Sequence, residues 1–315
     1  MRTRLTPERI RARFVECATA KFAGNVPDFV RLRKLVDDNG GRFLNDHGAI
    51  RTADPRLRDL FIRAAQVLGL HREREYAFPD KHLLSCDLQV IGEDAEQFKI
   101  FVSQVDLEAF PSDVWRLIEE DCAQQAAHVD HAPFVTLIER FEAHGALDAA
   151  DADAFVDHFV HRLMQRNGPP MSRSTLEAVA AVSGEAASAL ALGPDFNHVT
   201  IDVRAAGFDS IEAMATTMQS LGMRMLPQIQ GAPGSMLRQT ATLAASIATP
   251  VLEADGRSGS ARTEKQFVEI IERGQATDAD GHPLWRQDGR PLIYRNFLSA
   301  NAARIFDAAA TRTVR

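Results

Sequence analysis

Cysteine is scarce in this chain. Its three thiols, Cys17, Cys86 and Cys122, are odd in number and form no C-x-x-C pair, so neither a disulfide framework nor a thiolate metal site is predicted. That usage fits a reduced, cytoplasmic protein. The N-terminus, Met1-Arg2-Thr3-Arg4-Leu5, has no apolar signal core. No apolar run approaches the roughly 18 residues of a membrane helix, so no membrane partner is expected. Excess positive charge is lacking too: the formal net charge is -7 over 315 residues, against the basic face that nucleic acid requires. No glycine-rich loop matches a dinucleotide or phosphate fingerprint, and no G-x-S-x-G elbow is present. NAD, flavin and serine-hydrolase chemistry are therefore not indicated.

What the chain does contain is a duplication. One copy begins His47-Gly48-Ala49-Ile50-Arg51 and runs through an amphipathic stretch to Leu68-Gly69-Leu70. The other begins Asn197-His198-Val199-Thr200-Ile201-Asp202 and runs to Leu221-Gly222-Met223. The His-to-Gly interval is 22 residues in the first and 24 in the second. Such a repeat predicts a pseudo-twofold fold in which two equivalent strands could bring two imidazoles together.

Around the repeat, Thr6-Pro7 and Asp54-Pro55 read as helix starts, as does Asp209-Ser210, and Asn39-Gly40-Gly41 and Gly69 read as stops. Strands are predicted over 43–50, 82–90, 98–102, 198–203 and 266–271, with a strand pair at 224–230 and 235–242. The Gly/Ser-rich stretch 251–261 reads as a loop. Residues 107–192 form a helical insertion, and 300–311 a final helix. The fold class expected is α+β.

His47, His198 and Glu269 are the leading candidates for chemistry. Two neutral imidazoles and one carboxylate on three strands make a facial triad, which leaves coordination positions open and suits non-haem Fe(II) with O2. The plainer alternative is a pair of structural histidines, with Glu269 facing solvent or pairing with Arg273. Arg51 lies four residues beyond His47, hence on the same face of a strand, where a guanidinium could hold a substrate carboxylate in bidentate fashion. Arg238 and Gln239 could line the same cavity or face water. In the insertion, His128/His131 and His158/His161 are each spaced by three, a competing metal signal or a solvated helix face.

Several segments together resemble the 2-oxoadipate dioxygenase/decarboxylase family, also called hydroxyglutarate synthases. They are His47-Gly48-Ala49-Ile50-Arg51, Asn197-His198-Val199-Thr200, Leu237-Arg238-Gln239-Thr240, Phe267-Val268-Glu269-Ile270-Ile271-Glu272-Arg273-Gly274 and the run from Asn296 to Phe306. The resemblance extends over about 43–306. It implies a fold related to the vicinal oxygen chelate enzymes: paired βαβββ units forming a curved mixed sheet around a metal site. It implies one catalytic domain over 1–315, with N-terminal helices at 1–42, units at 43–106 and 194–299, the insertion at 107–193 and a C-terminal helix at 300–315. His47, His198 and Glu269 would be Fe(II) ligands, Arg51 would hold the substrate carboxylate, and Ala300 and Asn301 would fall in the substrate pocket. In that family a Pro and a Ser stand where this chain has Ser299 and Asn301, a difference that bears on the substrate's far end. The implied reaction takes 2-oxoadipate and O2 to (R)-2-hydroxyglutarate and CO2. Other outcomes open to the same scaffold are a Zn(II) or Mn(II) isomerase or lyase, and a non-catalytic anion binder.

Overall fold

The computed structural model describes residues 4–92, 96–298 and 305. A short strand β1 (Arg4–Leu5) leads into α1 (Pro7–Asn25) and α2 (Pro27–Asp38). Both helices carry Pro in the first turn, where the missing N–H would have no intrahelical acceptor. The first unit follows: β2 (Asn45–Thr52), α3 (Pro55–Val67), β3 (His71–Phe78), β4 (Leu83–Gln89) and β5 (Lys99–Val105). Asp54 caps α3 by accepting from the Arg56 backbone N–H at 3.0 Å, and Gly69, at φ 74°, turns the chain after it. The insertion comprises α4 (Ser112–Ala126), α5 (Ala132–His144), a strand β6 (Leu147–Asp148) paired with β1, α6 (Ala149–His158), α7 (Arg173–Val182) and α8 (Gly184–Leu192). The second unit is β7 (Phe196–Asp202), α9 (Ile211–Ser220), β8 (Leu237–Ala241), the hairpin β9 (Ser246–Leu252) and β10 (Ser258–Glu264), and β11 (Phe267–Arg273).

Seven strands join in one mixed sheet of order β3-β4-β5-β2-β7-β11-β8. In each unit the first strand pairs in parallel with the last: β2 with β5, and β7 with β11. The two first strands meet antiparallel at the centre, with His47 opposite Thr200 and Ala49 opposite His198. The pseudo-twofold relation read from the sequence therefore passes between β2 and β7. In the second unit the counterpart of β3 is reduced to isolated bridges, Met225 with Thr242 and Gln230 with Gln239, so 224–230 is not the full strand expected.

Side chains alternate between the two faces of this sheet. One face sends Ile50, Leu88, Ile100, Val102, Val199, Ile201, Val268 and Ile270 into a large core with α1, α2, α3, α6 and α9. The other face carries His47, His198 and Glu269, and α4, α7 and α8 cover part of it through Val114, Ile118, Leu176, Val179 and Leu190. The insertion thus forms a wall over the polar face. Two further expectations are corrected. β3 was not foreseen, because His71-Arg72-Glu73-Arg74-Glu75 is an exposed, charged edge strand without the alternation that marks a half-buried one. The stretch 251–261 is no loop but most of a hairpin. Thr249 and Val251 on one arm and Ala261 and Thr263 on the other are buried, and the turn holds Asp255-Gly256 with Gly256 at φ 79°. No helix among the described residues is long and apolar enough to cross a membrane.

Candidate metal centre

The central strand pair puts His47 and His198 on adjacent backbones, and the parallel pairing of β7 with β11 sets Glu269 beside Thr200. One ligand atom from each of His47, His198 and Glu269 lies within 4.8 Å of the others. Glu269 Oε2 is 3.2 Å from His198 Nε2 and 3.5 Å from His47 Nε2. The imidazole rings stand nearly perpendicular at 5.4 Å between centroids. The Thr200 hydroxyl lies 3.1 Å from His47 Nε2 and donates to Glu269 at 3.0 Å.

The residue before each histidine holds that histidine's other nitrogen. Asp46 Oδ2 is 2.9 Å from His47 Nδ1, and Asn197 Oδ1 is 3.1 Å from His198 Nδ1. The Asn197 orientation is set independently, since its Nδ2 donates to the Lys265 carbonyl at 3.1 Å. Both Nδ1 atoms therefore face acceptors and carry protons, which leaves both Nε2 lone pairs aimed at Glu269. Two imidazole nitrogens and a carboxylate oxygen converging beside a cavity fit a divalent transition metal.

The surroundings act in opposite directions on the two imidazoles. Burial and then repulsion from His47 and Arg51 hold His198 well below the ordinary imidazole range. Burial also opposes charging of His47, but the carboxylates of Asp46 and Glu269 outweigh it and raise that imidazole. Burial would raise Asp46; the cations of Arg273 and Lys99 overcome it and keep the carboxyl well below its usual value. Arg273 donates to both Asp46 oxygens, at 2.7 and 2.8 Å, and Lys99 Nζ lies 3.3 Å from Oδ1. So Arg273 partners Asp46 rather than Glu269, the alternative the sequence left open.

A cavity of about 30 Å³ opens at the triad, lined also by Arg51, Phe101, Ser103, Gln239, Phe297 and Ile305. Phe297 packs edge-on to His47 at 4.9 Å, and Phe267 stacks on His198 at 4.8 Å. Arg51 lines the cavity as expected, but its guanidinium is already clasped by Glu185 of α8. Burial lowers the Arg51 pKa to about 9. Arg238, a candidate for substrate contact, is instead on the opposite face of β8, where it pairs with Glu212 and with Glu272 at 3.1 Å. Its neighbour Gln239 takes the inward position, because Gln239 pairs with Ile271 and so shares the face of Glu269. Ser299, Ala300 and Asn301, together with the helix expected at 300–311, lie outside the described residues apart from Ile305.

The histidines of the insertion do not form a rival centre. His131 Nδ1 meets His158 Nε2 at 2.9 Å across two helices, His128 bonds the Gln124 carbonyl, and His161 meets Cys17. Among the described residues no third ligand joins any of them. Asp278, Asp280 and His282 do cluster, but on an exposed turn where Asp278 caps the backbone N–H groups of Asp280 and His282. Asp46, Asn197 and Glu185 were missed by sequence reasoning. For the first two a signal existed, since each directly precedes a histidine of the duplicated pair.

Comparison with known proteins places the fold and the family. A curated relative from Pseudomonas putida named 2-oxoadipate dioxygenase/decarboxylase is 24% identical over 313 residues, covering 89% of this chain and 66% of that one. The chain thus spans about two thirds of that relative's length. A relative of the same name from Mycobacterium tuberculosis is 23% identical, with 96% and 87% coverage. Among solved structures, a putative glyoxalase superfamily protein from Ralstonia eutropha JMP134 superposes with a TM-score of 0.77 at 22% identity, covering 86% of this chain and 85% of that one. Hydroxyglutarate synthase from Oryza sativa, solved in complex with 2-oxoadipate, gives 0.71 at 17% identity, covering 97% and 93%. These structures share the fold of the paired units. The family described as HGLS, 2-oxoadipate dioxygenase/decarboxylase, matches residues 33–288, a span holding the whole triad, and the chain belongs to that family.

Proposed function

We propose that this chain is a single catalytic domain that holds Fe(II) through His47, His198 and Glu269 and converts a 2-oxo dicarboxylic acid, 2-oxoadipate, with O2 to (R)-2-hydroxyglutarate and CO2. The observation that carries the reading is the convergence of two Nδ1-anchored imidazoles and one carboxylate in a buried cavity beside an arginine. Bound there, Fe(II) would supply Lewis acidity toward the oxo acid and reducing power toward O2.

The reaction balances without a second oxo acid. The bond between the carboxyl and keto carbons breaks and CO2 leaves. The keto carbon becomes a carboxylate with one oxygen atom, and the carbon next to it receives the other as hydroxyl. The protein's own groups have definable tasks in this scheme. Arg51 binds a carboxylate and fixes its orientation. Asp46 and Asn197 hold the imidazoles in the tautomer that presents Nε2. Phe101, Phe297 and Ile305 keep bulk water from the reacting carbons.

Protein loaded anaerobically with Fe(II) should consume O2 on addition of 2-oxoadipate and release equimolar CO2. An isomerase or lyase on this scaffold would instead turn over without O2 and with Zn(II) or Mn(II). A binder would raise its melting temperature with ligand but form no product.

A further inference from the structure

Behind the cavity, bonded to its lining residue Arg51, lies a carboxylate that the reaction does not use. Glu185 lies in the first turn of α8, directly after the Ser183-Gly184 cap, and is buried together with Arg51. Among the described residues its side chain bonds to Arg51 alone. Arg51 is the group that would receive a substrate carboxylate, and Glu185 already engages one nitrogen of its guanidinium. Space points the same way. About 30 Å³ is free at the triad, enough for one or two waters and too little for a six-carbon oxo acid. A substrate carboxylate that takes the Arg51 guanidinium must compete with Glu185 for it.

We infer that Glu185 is a specificity-determining residue, a resident counter-ion that neutralises Arg51 in the empty site and that a substrate carboxylate displaces. The physical need is clear: an arginine this buried beside two imidazoles and a cation site is costly without a partner. A carboxylate on a short helix supplies one. Glu185 reaches Arg51 from the first turn of that helix, whose following residues are buried and fix its place. The arrangement sets a threshold for ligands. An anion must match the Arg51–Glu185 bond to enter, which a carboxylate placed for bidentate contact can do and a single weak acceptor cannot. Affinity is traded for selection among anions.

This inference rests on the proposed role of Arg51, and its test separates the two. Glutarate, a dicarboxylate without the oxo group, is titrated calorimetrically into wild-type protein and into Glu185→Gln, both metal-free. The amide keeps the side chain's size but no longer competes as an anion, so glutarate should bind the variant at least fivefold more tightly. The double variant Glu185→Gln/Arg51→Met should lose that gain. Equal or weaker binding by Glu185→Gln would overturn the inference. Should that variant fail to fold, Glu185→Asp, which draws the charge back from Arg51, must show tighter binding than wild type, and weaker binding there would overturn it as well. With 2-oxoadipate and Fe(II), Glu185→Gln should lower KM more than it alters kcat. Tighter glutarate binding without any turnover of 2-oxoadipate would sink the proposed reaction and leave the role of Glu185 standing.

Discussion

Arg273 grips both carboxylate oxygens of Asp46, and that same carboxylate holds the Nδ1 of His47. The last residue of β11 thereby orients a ring on β2, two strands away in the sheet. All three side chains are 4% exposed or less. A buried network of this kind is stable only while every charge keeps its partner.

Asp46→Asn should consequently harm the protein in two ways. Arg273 and Lys99 would lose their counter-charge, at a cost of about 3–5 kcal/mol in urea unfolding. His47 would lose the acceptor that fixes its tautomer, weakening metal affinity by roughly 10–100-fold. Competition with a chromophoric chelator measures the second effect. Unchanged affinity in folded Asp46→Asn protein would show that Asp46 serves stability alone.

Arg51→Ala should separate substrate from metal. Charged hydrogen bonds are worth about 1.5–3 kcal/mol each, so KM for the oxo acid should rise roughly tenfold or more while metal content stays near one per chain. Loss of metal in this variant would reassign Arg51 to a structural role.

Lys265 gives a stability signal that depends on pH. It is fully buried, and burial, only partly opposed by Asp195, lowers its pKa from 10.5 to about 7. A lowered lysine pKa means that the unfolded chain binds more protons than the folded one between those values, so stability rises with pH across that window. Below it both states are charged and the burial penalty is complete. The slope is on the order of 1 kcal/mol per pH unit. Urea unfolding at pH 7.5 and 9 should show wild type gaining relative to Lys265→Met. A constant offset between the two proteins would contradict the assignment.

Gly48→Ala tests the packing behind the site. A Cβ at position 48 would come within 2.5 Å of the Phe196 ring, on the core face of the central strand pair. The ring is itself fully buried, so the overpacking should cost about 1–3 kcal/mol. A thermal melt reads this directly, and an unchanged melting temperature would mean that the strand relaxes freely.

How much of this was legible in the sequence follows from the range of each interaction. His47 and His198 could be paired in advance because duplication maps one strand onto the other, and helix starts such as Asp54-Pro55 declare themselves locally. Glu269 was legible as a strand residue among apolar neighbours. The choice between Arg238 and Gln239 was not, since a shift of one residue in register exchanges the faces of a strand, and only the pairing of β8 with β11 settles it. Glu185 was out of reach for a different reason. It comes from a helix 134 residues from Arg51, and nothing in the repeat indicates which insertion helix closes over the polar face. The edge strand β3 was hidden by its charges, which suit an exposed edge and conceal its periodicity.

The central claim is that three side chains from three strands hold one cation. Its most direct measurement is Fe(II) stoichiometry after anaerobic loading and desalting, for wild type and for His47→Ala, His198→Ala and Glu269→Ala. The account predicts about one iron per wild-type chain and almost none in any folded variant. A full equivalent retained by folded His198→Ala would contradict it.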